Sequence, residues 1–399
     1  MIIGKLNNGL KYAIKERKDL NTVTISVWIK TGSAYEDDSN RGIAHFLEHM
    51  MFNSSKNLPP GTLDREIELM GGEINAATSY DYTYYYINVP YNHYKRALEL
   101  LTDFILNPLL SEEMVEKEKP IVLEEIARSK DNPQDVFAET LMNRLYSKAP
   151  YKYPILGFED TVKKIDSQTL RTFYENNYVP DRMAISVVGK IDAEEVKKNI
   201  QELWEDFKRK GKVKNLENEP AENKGGEFTV THPAVQIPQL VLAWKLPPCS
   251  RDDVYYEILD SFLSSGKSAY LYNRIREKGF AYSCYSNYQN LLLGSNFIIG
   301  AMTDNVELCL EELKKVIEEI LSISEEDFEF ARKKLLKNEL FSRESGETEA
   351  DNIGYAVSII EDESYYLEYI TDIKQASFTK FKEKVKFLME PYLIGFLLP

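Results

Sequence analysis

Two histidines and a glutamate lie close together in the segment GIAHFLEHMMF, residues 42–52. On a helix, His45 and His49 stand at positions i and i+4, so their imidazoles project from one face, about 6 Å apart at the base. That spacing suits two nitrogen ligands that converge on a tetrahedral zinc ion. Glu48 shares this face and could hold a metal-bound water as a general base. The alternative is an amphipathic helix that carries polar residues, but the chain has only four histidines, which favours a metal site.

A catalytic zinc needs a third protein ligand and one open position for water. His93 and His232 have a suitable side chain, but each is isolated in a predicted turn. The predicted helix 111–129 is a better source because it is rich in glutamate. Glu118 and Glu125 lie two turns apart on one face of it, so one is expected to be a ligand and the other to support a ligand. A solvated acidic face is the alternative for this run. Its glutamates are Glu112, Glu113, Glu116, Glu118, Glu124 and Glu125.

The length, the net charge and the cysteine count exclude several classes of protein. A length of 399 residues suits two domains of about 200 residues each. The net charge of −15 argues against nucleic acid as a partner, because phosphates require a basic surface, and it is compatible with basic peptides. No apolar run reaches the ~20 residues that span a bilayer, so no membrane partner is expected. Three widely spaced cysteines form no disulfide framework, which predicts a reducing, cytoplasmic location.

Hydrophobic periodicity supplies the elements that must position these residues. Alternation with period 2 predicts strands at 11–17 and 22–30, and a β-hairpin at 73–89. Helical patterns surround the hairpin, which predicts an α+β fold of mostly antiparallel sheets packed with helices. The charged segment 208–226 lacks apolar periodicity and is predicted to be a linker. It would separate two domains of similar fold, residues 1–207 with the metal site and residues 227–399.

The second half repeats the order of the first. QLVLAWKLPPCSRDD echoes TISVWIKTGSAYEDD, so that Trp244 matches Trp28. A repeat of this length indicates duplication of a whole domain. The matching stretch YYEILDSFLSS has no histidine, and Asn338 stands where Glu125 would. One zinc ion per chain is therefore expected.

The H-x-x-E-H segment resembles the inverzincin signature of the pitrilysin or insulinase family of zinc peptidases. Within that family the chain is most similar to the two-domain subunits related to the mitochondrial processing peptidase and its bacterial relatives. Glu125 follows His49 by 76 residues, which is where the family places its third ligand. The resemblance therefore implies that Glu125 is the third ligand and that Glu118 orients a ligand from outside the coordination sphere.

Two further stretches resemble the family. GGEINAATSYDYTYYY is similar to the strand that takes substrate by β-augmentation, which implies that Asn75 and Ala76 bind the peptide. SSGKSAYLYNRIREKGFAY is similar to a loop followed by an arginine and a tyrosine. It implies that Arg276 and Tyr282 stabilise the scissile carbonyl as an oxyanion. This chain has one residue fewer between that pair than the family pattern, so Arg274 is an alternative to Arg276.

The resemblance implies a zinc-dependent endopeptidase that hydrolyses short or unfolded peptides captured as an edge strand in an enclosed chamber. The ligand set suits zinc best, although cobalt or manganese can occupy such a site. The family builds its chamber from four domains, so two chains are expected, either as a homodimer or as a heterodimer with a related chain. The alternative is a non-catalytic or partner-dependent subunit of a peptidase-like complex.

Overall fold

A computed structural model describes residues 1–399 of the chain, which form two compact units. Each unit includes a segment from the other half of the sequence. Residues 208–225 contain no helix or strand. The division into contiguous domains, 1–207 and 227–399, stays a prediction. The first unit comprises residues 1–127, 153–215 and 342–366, and the second comprises residues 128–152, 216–341 and 367–399.

The strands form two sheets. In chain order they are β1 Ile2–Lys5, β2 Lys11–Glu16, β3 Thr22–Ile29, β4 Glu73–Thr78, β5 Thr83–Pro90, β6 Met183–Gly189, β7 Gly226–Thr231, β8 Gln239–Lys245, β9 Ser283–Gln289, β10 Asn296–Met302 and β11 Leu393–Leu398.

Helices cover both sheets. In chain order they are α1 Ile43–Asn53, α2 Thr62–Leu69, α3 Tyr94–Leu106, α4 Glu112–Asp131, α5 Pro133–Leu145, α6 Glu159–Val162, α7 Ser167–Asn177, α8 Ala193–Trp204, α9 Asp253–Ser264, α10 Val306–Leu321, α11 Glu325–Ser342, α12 Gly346–Tyr355, α13 Ser364–Leu367, α14 Tyr369–Gln375 and α15 Phe378–Lys384. No helix combines the length and the apolar character needed to cross a bilayer.

The sheet of the first unit has the strand order β1-β2-β6-β3-β5-β4. All neighbours are antiparallel except β2 and β6, which are parallel. Burial alternates along β5, where Thr83, Tyr85 and Ile87 are buried and the residues between them are half-buried, whereas the central strands β3 and β6 are buried along nearly their whole length. β4 pairs only with β5 and therefore lies at an edge of the sheet.

The two faces of this sheet carry different helices. On one face, Phe46 of α1 and Phe104 of α3 share a core with Ile25 and Ile87. On the other face, α12 packs against β3 and β6. The approach of α12 is close, because a Cβ atom on Gly354 would lie 2.2 Å from the indole nitrogen of Trp28. The sheet therefore lies between a helical layer from the first half of the chain and a segment from the second half.

The sheet of the second unit has the order β7-β11-β8-β10-β9, with β7 and β11 parallel and the other neighbours antiparallel. This is the arrangement of β2-β6-β3-β5-β4 in the first unit, so β9 corresponds to β4. Trp28 and Trp244 lie on the corresponding strands β3 and β8. The predicted fold class, two similar α+β halves with mostly antiparallel sheets, is confirmed.

Candidate metal centre

The helix α1 carries the H-x-x-E-H segment and is amphipathic. Phe46, Leu47 and Met50 are fully buried in the core of the first unit. His45, Glu48 and His49 lie on the side that this apolar packing leaves available. The hydrophobic residues of the segment therefore fix the helix, and the polar residues between them are presented together.

His45, His49 and Glu125 converge although Glu125 lies on a different helix, α4. The Nε2 atoms of His45 and His49 lie 3.6 Å and 3.4 Å from Glu125 Oε2. One ligand atom from each of the three residues lies within 4.8 Å of the others. Ligands about 2.0–2.1 Å from a tetrahedral zinc are roughly 3.3 Å apart, so this nitrogen and oxygen set fits the ion. The sequence prediction that these three side chains meet agrees with the geometry.

His45 is held as a neutral imidazole. Its side chain is buried, and burial, followed by the nearby charge of His49, lowers its pKa to about 4. Its contact with Glu125 is therefore not an ion pair at neutral pH. Its Nδ1 atom is buried without a hydrogen-bond partner. A neutral imidazole is the form that binds a metal.

His49 is hydrogen-bonded to Glu118, the glutamate for which the resemblance implied an orienting role. Glu118 Oε1 lies 3.0 Å from His49 Nδ1, on the side of the ring away from Nε2. This hydrogen bond raises the pKa of His49 and holds the pKa of Glu118 below its usual value. Asn53 Nδ2 donates to the other oxygen of Glu118 at 3.1 Å. Sequence reasoning missed Asn53, whose only signal is its position one turn after His49.

Glu48 lies beside the end of β4. The hydroxyl of Thr78, the last residue of β4, donates to Glu48 Oε2 at 2.5 Å. Burial raises the pKa of Glu48. The carboxyl group is therefore fixed in direction and more basic than an exposed glutamate. Sequence reasoning missed Thr78, because nothing in the spacing links it to a residue thirty positions earlier.

Asn75 and Ala76 lie in the middle of β4, the edge strand. Asn75 is paired with Tyr86 and Ala76 with Tyr85 of β5. Side chains alternate along a strand, so Asn75 shares a face with Tyr86, whereas Ala76 and Thr78 share the other. The amide of Ala76 donates to Asn75 Oδ1 at 2.9 Å.

Arg276 and Tyr282 lie together in the second unit. The Nε atom of Arg276, in a π-helical turn at Tyr272–Arg276, donates to the carbonyl oxygen of Tyr282 at 3.0 Å. Tyr282 is 58% exposed, and its hydroxyl donates to Asp304. These residues line a cavity of about 420 Å³. Arg274, the alternative to Arg276, is instead paired with Glu319.

Comparisons with known proteins agree with this geometry. Residues 11–159 match the family described as Insulinase (Peptidase family M16), and residues 164–335 match the Peptidase M16 inactive domain. An uncharacterized zinc protease of Rickettsia felis is 31% identical over 358 residues, which cover 88% of this chain and 86% of that protein. The uncharacterized zinc protease YmxG of Bacillus subtilis is 31% identical over 323 residues, covering 80% and 77%.

More distant relatives share the fold or part of the sequence. A probable mitochondrial-processing peptidase subunit beta of Arabidopsis thaliana is 30% identical over 242 residues, covering 60% of this chain and 46% of that protein. The crystal structure of a protease from Helicobacter pylori superposes with a TM-score of 0.93 at 23% identity, covering 100% of this chain and 99% of that one. The chain therefore belongs to the insulinase family, peptidase family M16, and is a zinc metallopeptidase.

Proposed function

We propose that the chain is an endopeptidase that hydrolyses short or unfolded peptides, with one zinc ion per chain held by His45, His49 and Glu125. The observation that carries this proposal is the convergence of the three side chains from two helices, with the buried His45 kept neutral. Zinc bound there supplies Lewis acidity, which polarises a carbonyl and acidifies a water molecule. Glu118, hydrogen-bonded to His49, keeps that ligand in the orientation required.

Glu48 is the proposed general base. It accepts a proton from the attacking water and returns it to the leaving amine as the peptide bond breaks. Burial raises its pKa towards neutrality, which suits a group that must both take and release a proton. The hydrogen bond from Thr78 fixes the carboxyl group beside the strand that is proposed to hold the substrate.

β4 is the proposed site of substrate capture. Its free edge offers backbone hydrogen bonds to an extended peptide, which restricts substrates to chains that are short or unfolded. The amide of Ala76, which donates to Asn75 Oδ1, is positioned to donate instead to a carbonyl oxygen of a bound peptide. Thr78 connects this edge directly to Glu48, so a captured peptide would run past the general base.

A preference for basic substrate residues is supported by the face of the sheet on which Asn75 lies. Side chains of an added strand would project alternately to the two faces. On the Asn75 face, burial and then the charges of Asp351 and Glu347 on α12 raise the pKa of Tyr84. Asp351 Oδ1 is buried there without a hydrogen-bond partner. A lysine or arginine side chain would supply the missing positive charge.

Arg276 and Tyr282 are proposed to stabilise the oxyanion that forms from the scissile carbonyl. The exposure of Tyr282 and the hydrogen bond between the two residues support a joint role. We propose that two chains assemble to enclose the substrate, as a homodimer or with a related chain, so that each zinc faces the second half of the partner. The proposed cytoplasmic location rests on the sequence, in which three widely spaced cysteines predict no disulfide framework.

The test is cleavage of a quenched, unstructured basic peptide by the wild type and Glu48→Gln, with the zinc content of both measured. We expect about one zinc per chain in both proteins and cleavage by the wild type only, because the amide cannot accept the proton. The loss should be at least ~10²-fold in kcat/KM.

Each of the other outcomes would contradict a different part of the proposed function. A wild type that binds zinc but does not cleave, and that elutes as a monomer in size-exclusion chromatography, would support the alternative of a subunit that needs a different partner. Absence of bound metal from both proteins would contradict the metal site itself and favour a non-catalytic subunit.

A further inference from the structure

The helix that carries the two histidines, α1, begins without a capping side chain of its own. Gly42 precedes it with a φ of 95° and provides no side-chain hydrogen-bond acceptor for the first turn. A Cβ atom at this position would lie 2.4 Å from the carbonyl oxygen of Leu156, so a serine or aspartate cap is sterically excluded. The free amides of the first turn must therefore be satisfied from another part of the chain.

Glu36 satisfies two of them at once. Its Oε2 atom accepts a hydrogen bond from the amide of Gly42, and its Oε1 atom accepts one from the amide of Ala44, both at 2.9 Å. The residue is 0% exposed, so water cannot replace these contacts. Burial raises the pKa of Glu36 to about 8, and the hydrogen bonds from the amides of Gly42 and Ala44 act in the opposite direction.

The backbone around this cap is itself held in place. The hydroxyl of Thr161 donates to the carbonyl oxygen of Arg41 at 2.6 Å, and Lys214 Nζ donates to the carbonyl oxygen of Glu36 at 2.8 Å. Ala44, the second residue bonded to Glu36, directly precedes His45. A shift of the first turn would therefore displace the His45 imidazole relative to Glu125, which lies on another helix.

We infer that Glu36 is a positioning residue for the metal centre: its carboxyl group fixes the first turn of α1 so that His45 and His49 meet Glu125 in the geometry that zinc requires. Glu36 contacts neither the ligand atoms nor the substrate strand, and it acts only through the amides of Gly42 and Ala44. The inference rests on the proposed function, because it takes the three-residue cluster as the zinc site.

The test compares Glu36→Gln and Glu36→Asp with the control Asp192→Asn. Asp192 caps α8 in the same unit by accepting a hydrogen bond from the amide of Glu195 at 2.9 Å, far along the chain from the histidines. Zinc affinity is measured by competition with a chelator, and ligand geometry by the visible absorption spectrum of the cobalt-substituted protein. Thermal unfolding is recorded for each variant.

We expect Glu36→Gln to bind zinc about tenfold more weakly or worse and to change the cobalt spectrum, because the amide nitrogen cannot accept a hydrogen bond. Glu36→Asp keeps a carboxyl group but, being shorter, is expected to reach only one amide, so it should weaken zinc binding to a smaller extent. Asp192→Asn should retain the wild-type affinity and spectrum, even where its unfolding temperature falls.

Other results would overturn the inference. If the wild type binds zinc and Glu36→Gln matches it in affinity and cobalt spectrum, Glu36 does not position the ligands, and the proposed function is unaffected. If Asp192→Asn weakens zinc binding equally, or if neither Glu36 variant folds, Glu36 serves the whole unit rather than the zinc site. If the wild type binds no zinc, the inference and the proposed function fail together.

Discussion

The two histidines of α1 have different surroundings, so the orientation of each ring should depend on different neighbouring residues. His45 is buried, and its Nδ1 atom has no hydrogen-bond partner. His49 has a hydrogen bond to Glu118, and Asn53 donates to the other oxygen of that carboxyl group. The direction of the His49 ring should therefore be sensitive to the chemistry of Glu118, whereas that of His45 should be sensitive to the packing and capping of α1.

Replacement of Glu118 by glutamine tests this dependence. The amide keeps the shape of the side chain but loses the charge that strengthens the bond to His49, so we expect zinc affinity to fall by about 10- to 100-fold. Glu124→Gln is the matched control, because it lies on the same helix and is exposed. Equal affinities for Glu118→Gln and the wild type, measured by chelator competition, would show that Glu118 does not orient His49.

The sequence predicts the ligand residues better than the residues that hold them. His45 and His49 are recognisable from one helical turn, and Glu125 from the two-turn spacing in α4 together with the resemblance. Thr78 and Glu36 have no such signal, because each contacts α1 from a strand end or a turn. Their roles depend on distances between elements, and spacing along the chain does not encode those distances.

The proposed pairing of substrate with the edge strand β4 leads to a prediction about substrate backbone amides. A peptide that pairs with β4 would direct alternate amides towards it, so N-methylation of successive substrate residues should reduce cleavage with a period of two. Each removed hydrogen bond should lower kcat/KM by about tenfold. The unmethylated peptide is the control, and kcat/KM is measured for the series. A uniform effect, or one confined to the residues that flank the cut, would contradict strand pairing.

The positions of most helices and strands can be predicted from the sequence. Which of the two structural units a given helix joins cannot always be predicted. The hairpin predicted at 73–89 is confirmed as β4 and β5, and the helix predicted at 111–129 as α4. Residues 342–366, however, pack with the first unit. The sequence pattern of an amphipathic helix indicates that one face is buried, but it does not indicate against which sheet that face packs. The glycine at 354 is a partial signal, since it permits contact with Trp28.

At the scale of the whole molecule, each of the two similar units includes a segment from the other half of the sequence. The two units also differ in the polar residues that they carry. The hydrogen bond between Ser286 of β9 and Asp260 of α9, at 2.5 Å, resembles the bond between Thr78 and Glu48. Asn338, at the position that matches Glu125, donates to Ser265 at 3.3 Å. The second unit therefore also has a hydrogen bond between its edge strand and a helix, although Ser286 lies in the middle of β9 and Thr78 at the end of β4.

The exchanged segment 342–366 is held to the first unit by a buried carboxylate. Glu349, 1% exposed, accepts hydrogen bonds from Lys15, from Arg17 at 2.7 Å and from Tyr366 at 2.7 Å. Burial alone would raise its pKa, but these bonds hold the pKa below its usual value. A carboxyl group whose pKa is lower in the folded state stabilises the protein above its unfolded pKa, and this contribution is lost as the pH falls through the folded pKa.

Glu349→Gln should therefore destabilise the protein by about 3 kcal/mol at pH 7, because Lys15 and Arg17 lose their shared partner. The difference in the free energy of unfolding between the variant and the wild type should shrink as the pH falls below about 4, because the glutamate of the unfolded wild type then binds a proton that the folded carboxylate does not yet bind. Denaturant unfolding at a series of pH values measures this difference, with Glu347→Gln on the same helix as the control. A difference that stays constant down to pH 3 would mean that the shape of the side chain, rather than its charge, holds the exchanged segment to the first unit.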